Sequence, residues 1–200
     1  MKQYDFRFDT ALIKSFIGKN LTKYKHAEFF YTNSVTAILG LEIDGKVFEL
    51  TNEYEAMDFL ALDNEATVFR IANSKWDAIE PRINNVINET NVNEIIHKII
   101  LVNDHTTLMF EQNVEYDMWD TKAIIFCFEN HEICFAKQDC WFSQEIEIYK
   151  GHDLLEKVGD GKGILADFDE NEAKKVNVKR TIVEIMQKEY LKIVELKSSD

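Results

Sequence analysis

Hydrophobic and polar residues alternate along most of the chain, which is the pattern of half-buried β-strands. The clearest example is the segment 37–50, where two alternating runs flank Asp44-Gly45. Asp-Gly suits the two positive-φ positions of a type I′ turn, so the sequence predicts a hairpin in which Leu41 pairs with Phe48. One face of this hairpin is then apolar, and the other is largely polar.

A second hairpin is predicted over residues 123–137, where a short polar segment separates two aromatic runs. The predicted register places Phe126 opposite Phe135 and Cys127 opposite Cys134. In that register the phenylalanines share the core face, and the two cysteines lie on the opposite face.

Two further strands are predicted at 94–102 and 106–112, with a turn at Asn103-Asp104. The isoleucines of the first segment would also suit a helix, but its β-branched content favours a strand. Residues 176–185 are predicted as a strand, although the apolar spacing that continues to residue 196 also fits a helix.

Few helices are predicted. Asp9 or Thr10 can cap a helix that runs to Ile17 and ends at Gly18. A second, short helix is predicted over 153–158. The fold class that follows is α+β but mostly β, with antiparallel, hairpin-rich sheets and a few short helices.

The two predicted hairpins resemble each other at an offset of 86 residues, and the segments after them match at about 78. This similarity is typical of an internal duplication. The corresponding units are residues 1–75 with the N-terminal helix, a linker with a short helix at 76–93, and 94–200 with a C-terminal extension. The linker contains the only proline, Pro81. The alternatives are that short hairpins resemble one another by composition alone, and that the units pack as one domain.

The chain carries 36 acidic and 23 basic residues, a formal net charge of −13. Such a charge repels nucleic acid and anionic membranes and attracts basic proteins, although acidity can also serve solubility alone. No apolar run approaches the length of a membrane span. Three cysteines suit a reducing compartment. We therefore expect a cytoplasmic protein that binds neither nucleic acid nor membrane directly. The oligomeric state is left open.

Three segments carry residues that metals or phosphates prefer. Cys127, His131, Cys134 and Cys140 fall within 14 residues, but no C-x2-C pair is present, and reduced packing thiols are the better interpretation. The acidic segment 167–171 begins like a calcium loop.

That calcium-like segment has Glu172 and Val178 where the motif requires glycine and glutamate. The glycine-rich segment 159–163 lacks the spacing of a phosphate-binding loop and contains Asp160. No nucleophile elbow or H-E-x-x-H motif is present. We therefore expect no cofactor, no metal and no catalytic residue.

Acidic residues cluster at 53–63 and again at 115–120, where they flank aromatic side chains. Aromatic rings among carboxylates are typical of a binding site for a basic protein, because the rings supply buried area and the charges steer association. The predicted partner-binding residues are Glu53, Glu55, Asp58, Asp63, Glu115, Tyr116, Asp117, Trp119 and Asp120. The alternative for Trp119 is packing in the core beside the hairpin that follows it.

These observations favour a non-enzymatic inhibitor or adaptor that occupies a basic surface of a partner protein, such as the phosphate-binding groove of a nucleic-acid enzyme. In composition the chain is similar to toxin-immunity proteins and to viral inhibitors of bacterial defence, with which it shares no motif. One alternative is a small-molecule-binding protein or enzyme with a cleft between the duplicated units. Another is a subunit that self-associates through an exposed hairpin edge.

Overall fold

The computed structural model describes residues 1–27, 35–36, 38–59, 62–80, 87–110, 112–140, 143–161, 174–187 and 192–196. Within these ranges the chain is mostly β, as the sequence predicts, and forms two sheets that share a core. The strands are β1 Lys2–Phe6, β2 Asn20–Ala27, β3 Val35–Thr36, β4 Ile38–Ile43, β5 Lys46–Phe59, β6 Leu62–Asn73, β7 Ile87–Ile95, β8 Lys98–Phe110, β9 Asn113–Cys127, β10 Glu132–Lys137, β11 Ile146–Gly151, β12 Lys174–Met186 and β13 Lys192–Leu196. The helical segments are α1 Thr10–Lys14 and the 3-10 turns Trp76–Ala78 and Leu154–Lys157.

The two sheets follow the same path. The small sheet has the order β6-β5-β4-β2-β7, and the large sheet has the order β13-β12-β8-β9-β10-β11-β3. In each, four strands form a meander, and a later strand returns to pair antiparallel with the first strand of that meander. β1 lies outside this pattern, since it pairs in parallel with the first half of β9.

The core lies between the facing sides of the two sheets. Leu39, Leu41 and Phe48 of the small sheet pack in one cluster with Ile99 and Phe126 of the large sheet, and none of the five is more than 4% exposed. Burial of such side chains contributes about 1.5–3 kcal/mol each, so this cluster is the main source of stability.

The first hairpin is confirmed. Asp44 and Gly45 have φ values of 48° and 73°, as a type I′ turn requires, and Leu41 pairs with Phe48. The predicted apolar face of the hairpin is the face that packs in the core.

The register predicted for the second hairpin is wrong by two residues. Phe126 pairs with Ile133 rather than with Phe135. The loop both begins and ends one residue earlier than predicted, because the Phe128 N–H donates to the His131 carbonyl at 2.9 Å and closes the turn there. A shift of two residues preserves the faces, and both Phe126 and Phe135 are therefore in the core.

The turn predicted at Asn103-Asp104 is also wrong, because β8 continues through both residues. Asn103 accepts a hydrogen bond from Thr121, and Asp104 is bonded by Arg180. These partners satisfy the polar side chains within the sheet, where local turn propensity would have ended the strand. The strand predicted at 176–185 is confirmed as part of β12.

The N-terminal helix begins where predicted and is shorter than predicted. The Asp9 side chain accepts a hydrogen bond from the Ala11 N–H at 2.8 Å and caps α1, which ends at Lys14. Gly18 follows at φ 76°. The segment predicted as a second helix forms a single 3-10 turn. The predicted linker 76–93 includes the other 3-10 turn and most of β7, while Pro81 lies outside the described residues.

Candidate functional site

The first half of β9 carries an exposed sheet face. There β9 pairs with β8 on one side and with β1 on the other, and β12 pairs with the far side of β8. Directly paired residues share a face, so side chains of three strands are brought together on one surface. We call this surface the Trp119 face, and its residues are Gln3, Asp5, Arg7, His105, Glu115, Asp117 and Trp119.

Trp119 is the centre of this face. Its ring stacks on the His105 ring with centroids 4.2 Å apart and planes 6° apart. The Arg7 guanidinium lies 4.6 Å from the centroid of the same ring. Since β8 and β1 flank β9 on opposite sides, the indole is held between the imidazole and the guanidinium. Both contacts are ones that aromatic rings favour, and they fix the orientation of the ring.

Carboxylates hold the two partners of Trp119 in place. Asp5 accepts hydrogen bonds from Arg7 at 2.9 and 2.6 Å, and Arg7 holds the pKa of Asp5 below its usual range. Asp117 contacts the His105 ring nitrogen at 2.5 Å and accepts a hydrogen bond from Gln3 at 3.4 Å. The indole is therefore supported by a network of side chains on all three strands.

The Trp119 face is open to solvent and locally acidic. The side chains of Asp5 and Arg7 are 54% and 43% exposed, and Glu115 is also exposed. Along β1, β9 and the residue that follows β1, this face has three carboxylates and one guanidinium. Lys175 and Lys179 of β12 are exposed beyond His105 and mark its basic margin.

The other two residues predicted in the 115–120 segment face the opposite way. Tyr116 and Asp120 are 6% and 8% exposed, because the segment is a strand in which successive side chains alternate between faces. Tyr116 packs with Leu108 and Met118. The structure thus brings Asp117 and Trp119 together and separates Tyr116 and Asp120 from them, while Glu115 is exposed at a bulge between Val114 and Tyr116.

The predicted residues of the first acidic cluster lie on β5 and β6. Glu53 is exposed, and Glu55 accepts hydrogen bonds from Arg70 at 2.5 and 2.7 Å, which lowers its pKa. Asp58 and Asp63 pair across the β5–β6 hairpin, but their side chains lie outside the described part of the structure.

A second group of charged residues is largely buried at the point where the neighbour of β9 changes from β1 to β10. We call it the buried charge cluster. Its members are Asp104, Asp120, Lys122, Lys137, Asp139 and Arg180. The three acids and three bases balance, and their most buried member, Asp104, is 0% exposed.

Each pair in the cluster also binds the backbone or uses two hydrogen bonds. Arg180 donates to Asp104 twice at 2.8 Å. Lys122 donates to Asp139 at 2.9 Å and to the Gln138 carbonyl at 2.8 Å. The first pair joins β12 to β8, and the second joins β9 to the chain that follows β10.

The third pair is the least complete. The nitrogen of Lys137 lies 3.8 Å from Asp120 and donates to the Thr67 carbonyl at 2.5 Å. Burial lowers the pKa of Lys137 and raises the pKa of Asp120. A small cavity lined largely by apolar side chains, including Phe6 and Met118, borders the pair. With the charges balanced, the cluster joins strands of both sheets.

Lys122 reaches the cluster because it is the extra residue of a β-bulge. Thr121 pairs with Asn103 and Ala123 pairs with Val102, so Lys122 has no residue opposite it on β8. Bulges re-aim side chains out of the regular alternation. Sequence reasoning missed this cluster, and the only available signal was the presence of charged residues within apolar strands.

Cys127 and Cys134 behave as packing residues. Cys127 and Cys134 are buried in the apolar cluster on the outer side of the large sheet, and burial raises the pKa of Cys127 to about 12. In the part of the chain that the structure describes, no group of three His, Cys, Asp or Glu residues could hold a metal ion. The calcium-like segment 167–171 and residues 162–163 of the glycine-rich segment lie outside the described residues.

No protein-family model, curated protein or solved structure matches the chain. Among the helices of the described residues, none has the length and apolar content needed to cross a bilayer.

Proposed function

We propose that the protein is a non-enzymatic inhibitor or adaptor that binds a basic surface of a partner protein through the Trp119 face. The observation that supports this most is the indole of Trp119, held between His105 and Arg7 on an open sheet face. A side chain that is already ordered loses little conformational entropy on binding. Trp and Arg are also among the residues that most often dominate the binding energy of an interface.

The charge of the protein supports a basic partner. The net charge of −13 attracts such a partner at long range and raises the rate of encounter. At short range, the carboxylates of Asp5, Glu115 and Asp117 form ion pairs with basic residues of the partner around the indole. Nucleic-acid enzymes carry basic grooves that accept phosphate, and carboxylates on a flat face can occupy the same positions. Lys175 and Lys179 then repel basic residues at one margin and so fix the orientation of the complex.

Affinity purification of the tagged protein from its native host tests this function. We expect a basic protein to be recovered at low salt and in smaller amount at moderate salt, because salt screens the attraction between exposed charges. Recovery of the tagged protein alone at both salt concentrations would contradict the proposal and favour a ligand-binding or catalytic role.

We also infer that the two sheets arose by internal duplication. The inference is supported by their matching strand orders and by the sequence similarity of β4–β5 to β9–β10. The unit β2-β4-β5-β6-β7 is expected to superpose strand for strand on β8-β9-β10-β11-β12. A superposition that aligns only the two hairpins would contradict the duplication.

A further inference from the structure

His105 is the residue of the Trp119 face whose charge can change near neutral pH. Histidine gains a proton between about pH 8 and pH 5, whereas arginine and ordinary carboxylates keep their charges over that range. The side chain of His105 is 23% exposed, so protons reach it from solvent. It lies between Trp119 on β9 and Lys179 on β12, which are the residues paired with it on either side. A change in its charge therefore acts at the centre of the surface.

Charged groups of the described residues lie around the His105 ring on three neighbouring segments. Asp117 of β9 contacts the Nε2 atom at 2.5 Å and favours the protonated ring. Lys179, the residue opposite His105 on β12, is exposed and disfavours it. On the far side of the indole, Arg7 is neutralised by its two hydrogen bonds to Asp5. Of these groups, the one in direct contact with the ring is the Asp117 carboxylate, while solvent screens the Lys179 ammonium.

The contact with Asp117 also determines which nitrogen takes up the proton. A ring nitrogen this close to a carboxylate oxygen carries a hydrogen, so in the neutral ring Nδ1 has the free lone pair. The proton gained in acid therefore binds to Nδ1. The resulting cation lies parallel to the indole of Trp119, with ring centroids 4.2 Å apart. Because the π electrons of an indole attract a cation, the two rings stay stacked after protonation.

Protonation of His105 changes the charge of the Trp119 face by one unit. The face has three carboxylates and one guanidinium, which leave two negative charges while His105 is neutral and one negative charge when it is protonated. A basic surface is attracted less strongly by the protonated form, since attraction between exposed charges follows their local balance.

We propose that His105 is a proton-operated switch of the Trp119 face. In slightly alkaline solution the ring is neutral, and the face has its full negative charge. In slightly acidic solution the ring is a cation stacked on the indole, and the face attracts a basic partner less strongly. The effect on partner binding rests on the proposed function, whereas the protonation of His105 against Trp119 does not.

Tryptophan fluorescence of the protein alone, followed from about pH 8 to pH 5, tests the switch. We expect the emission to fall in acid, because a protonated imidazole quenches a stacked indole more strongly than a neutral one. His105→Gln removes the titrating group and Trp119→Phe removes the reporting indole, so both variants are expected to lose this decrease. His152→Gln changes an exposed histidine directly after β11 and is expected to retain it as the control.

Two results of the titration overturn the switch. One is fluorescence of the unchanged protein that stays constant over this range. The other is a decrease of equal size in Trp119→Phe, a variant that decides the question even if His105→Gln does not fold.

Recovery of the basic partner at about pH 8 and pH 6 tests the consequence for binding. One exposed charge changes affinity by about two- to fivefold, so the unchanged protein is expected to recover less partner at the lower pH by that factor. His105→Gln is expected to recover equal amounts at both. The same loss in His105→Gln would overturn regulation by this residue. Recovery of no partner at either pH would contradict the proposed function alone, because the fluorescence titration decides the switch.

Discussion

Lys137 and Asp120 show how this fold holds charges that water cannot reach. Their side chains are 8% and 11% exposed, and each loses most of its hydration. The Lys137 ammonium is compensated by Asp120 and by the Thr67 carbonyl, while the ionised form of Asp120 depends mainly on Lys137. Removing one partner leaves the other charge buried and uncompensated.

The first prediction concerns this pair. Asp120→Asn and Lys137→Met are each expected to lower the free energy of unfolding by about 3 kcal/mol at pH 7. The double variant is expected to lose clearly less than the sum of the two, because it leaves no unpaired charge. Urea denaturation of the four proteins measures these values. Additive losses would show that the two residues do not compensate each other.

The second prediction concerns the thiols. Cys127 and Cys134 are buried, and the raised pKa of Cys127, about 12, leaves almost no thiolate at neutral pH. Cys140 is partly exposed. A thiol-specific reagent at pH 8 is expected to label Cys140 quickly in the folded protein and the other two only after denaturation. Equal rates at all three thiols without denaturant would contradict the assigned packing.

At the residue scale, the sequence predicted what local chemistry decides. Asp44-Gly45 was predictable because both residues tolerate positive φ, and Asp9 because its side chain can accept from a helix N-terminus. Lys122 was not predictable, since its burial depends on a bulge opposite Asn103 and on Asp139, which lies 17 residues away. No local pattern encodes such a contact.

At the element scale, β8 shows how long-range pairing overrides turn propensity. Its centre contains Asn103-Asp104, which favours a turn in isolation. In the fold β8 pairs on both sides, with β9 and with β12, and both polar side chains find partners there. The stability of this strand pairing makes the segment a strand rather than a turn. That stability depends on residues more than 15 positions away, such as Thr121 and Arg180.

The third prediction isolates the backbone contribution of the β4–β5 turn. Gly45 has φ 73°, and a Cβ added there would meet no atom within 4 Å. Gly45→Ala is therefore expected to lower the free energy of unfolding by about 1 kcal/mol through the left-handed conformation alone. Lys46→Ala, at the next exposed position, serves as the control and is expected to change little. If thermal or urea denaturation gives equal stabilities for both variants, the turn is not type I′ in solution.

Registers are less predictable from sequence than strands themselves. The face of each strand in the β9–β10 hairpin was predicted correctly because alternation fixes it. The register was not, because the Phe128 N–H donates to the His131 carbonyl and closes the turn around Glu129-Asn130, so that β10 begins one residue earlier than predicted. Loop geometry here depends on a single backbone contact, which composition does not reveal.

At the scale of the whole molecule, the sequence supports a mostly β fold but not the order of its strands. Which strand returns beside β2 or β8 depends on tertiary pairing across 60 residues or more. The Trp119 face is a product of the same pairing, because Arg7, His105 and Trp119 come from three separate segments. The sequence could indicate Trp119 as a candidate, but only the fold supplies the residues that orient it.

The fourth prediction concerns partner binding, and Trp76 provides its matched control. Trp76 is also partly buried and also contacts cations, with Lys23 and Lys25 lying 4.2 and 4.8 Å from its ring centroid. It covers the outer side of the small sheet rather than the Trp119 face. Loss of an aromatic binding residue commonly costs 2 kcal/mol or more, about thirtyfold in affinity.

The most direct measurement is therefore the amount of partner protein that each variant recovers from native host extract. Trp119→Ala is compared with Trp76→Ala at low salt, with equal amounts of folded tagged protein. The account predicts that Trp76→Ala recovers as much basic partner as the unchanged protein and that Trp119→Ala recovers less than about a tenth of it. Equal recovery by the two variants would contradict binding through the Trp119 face.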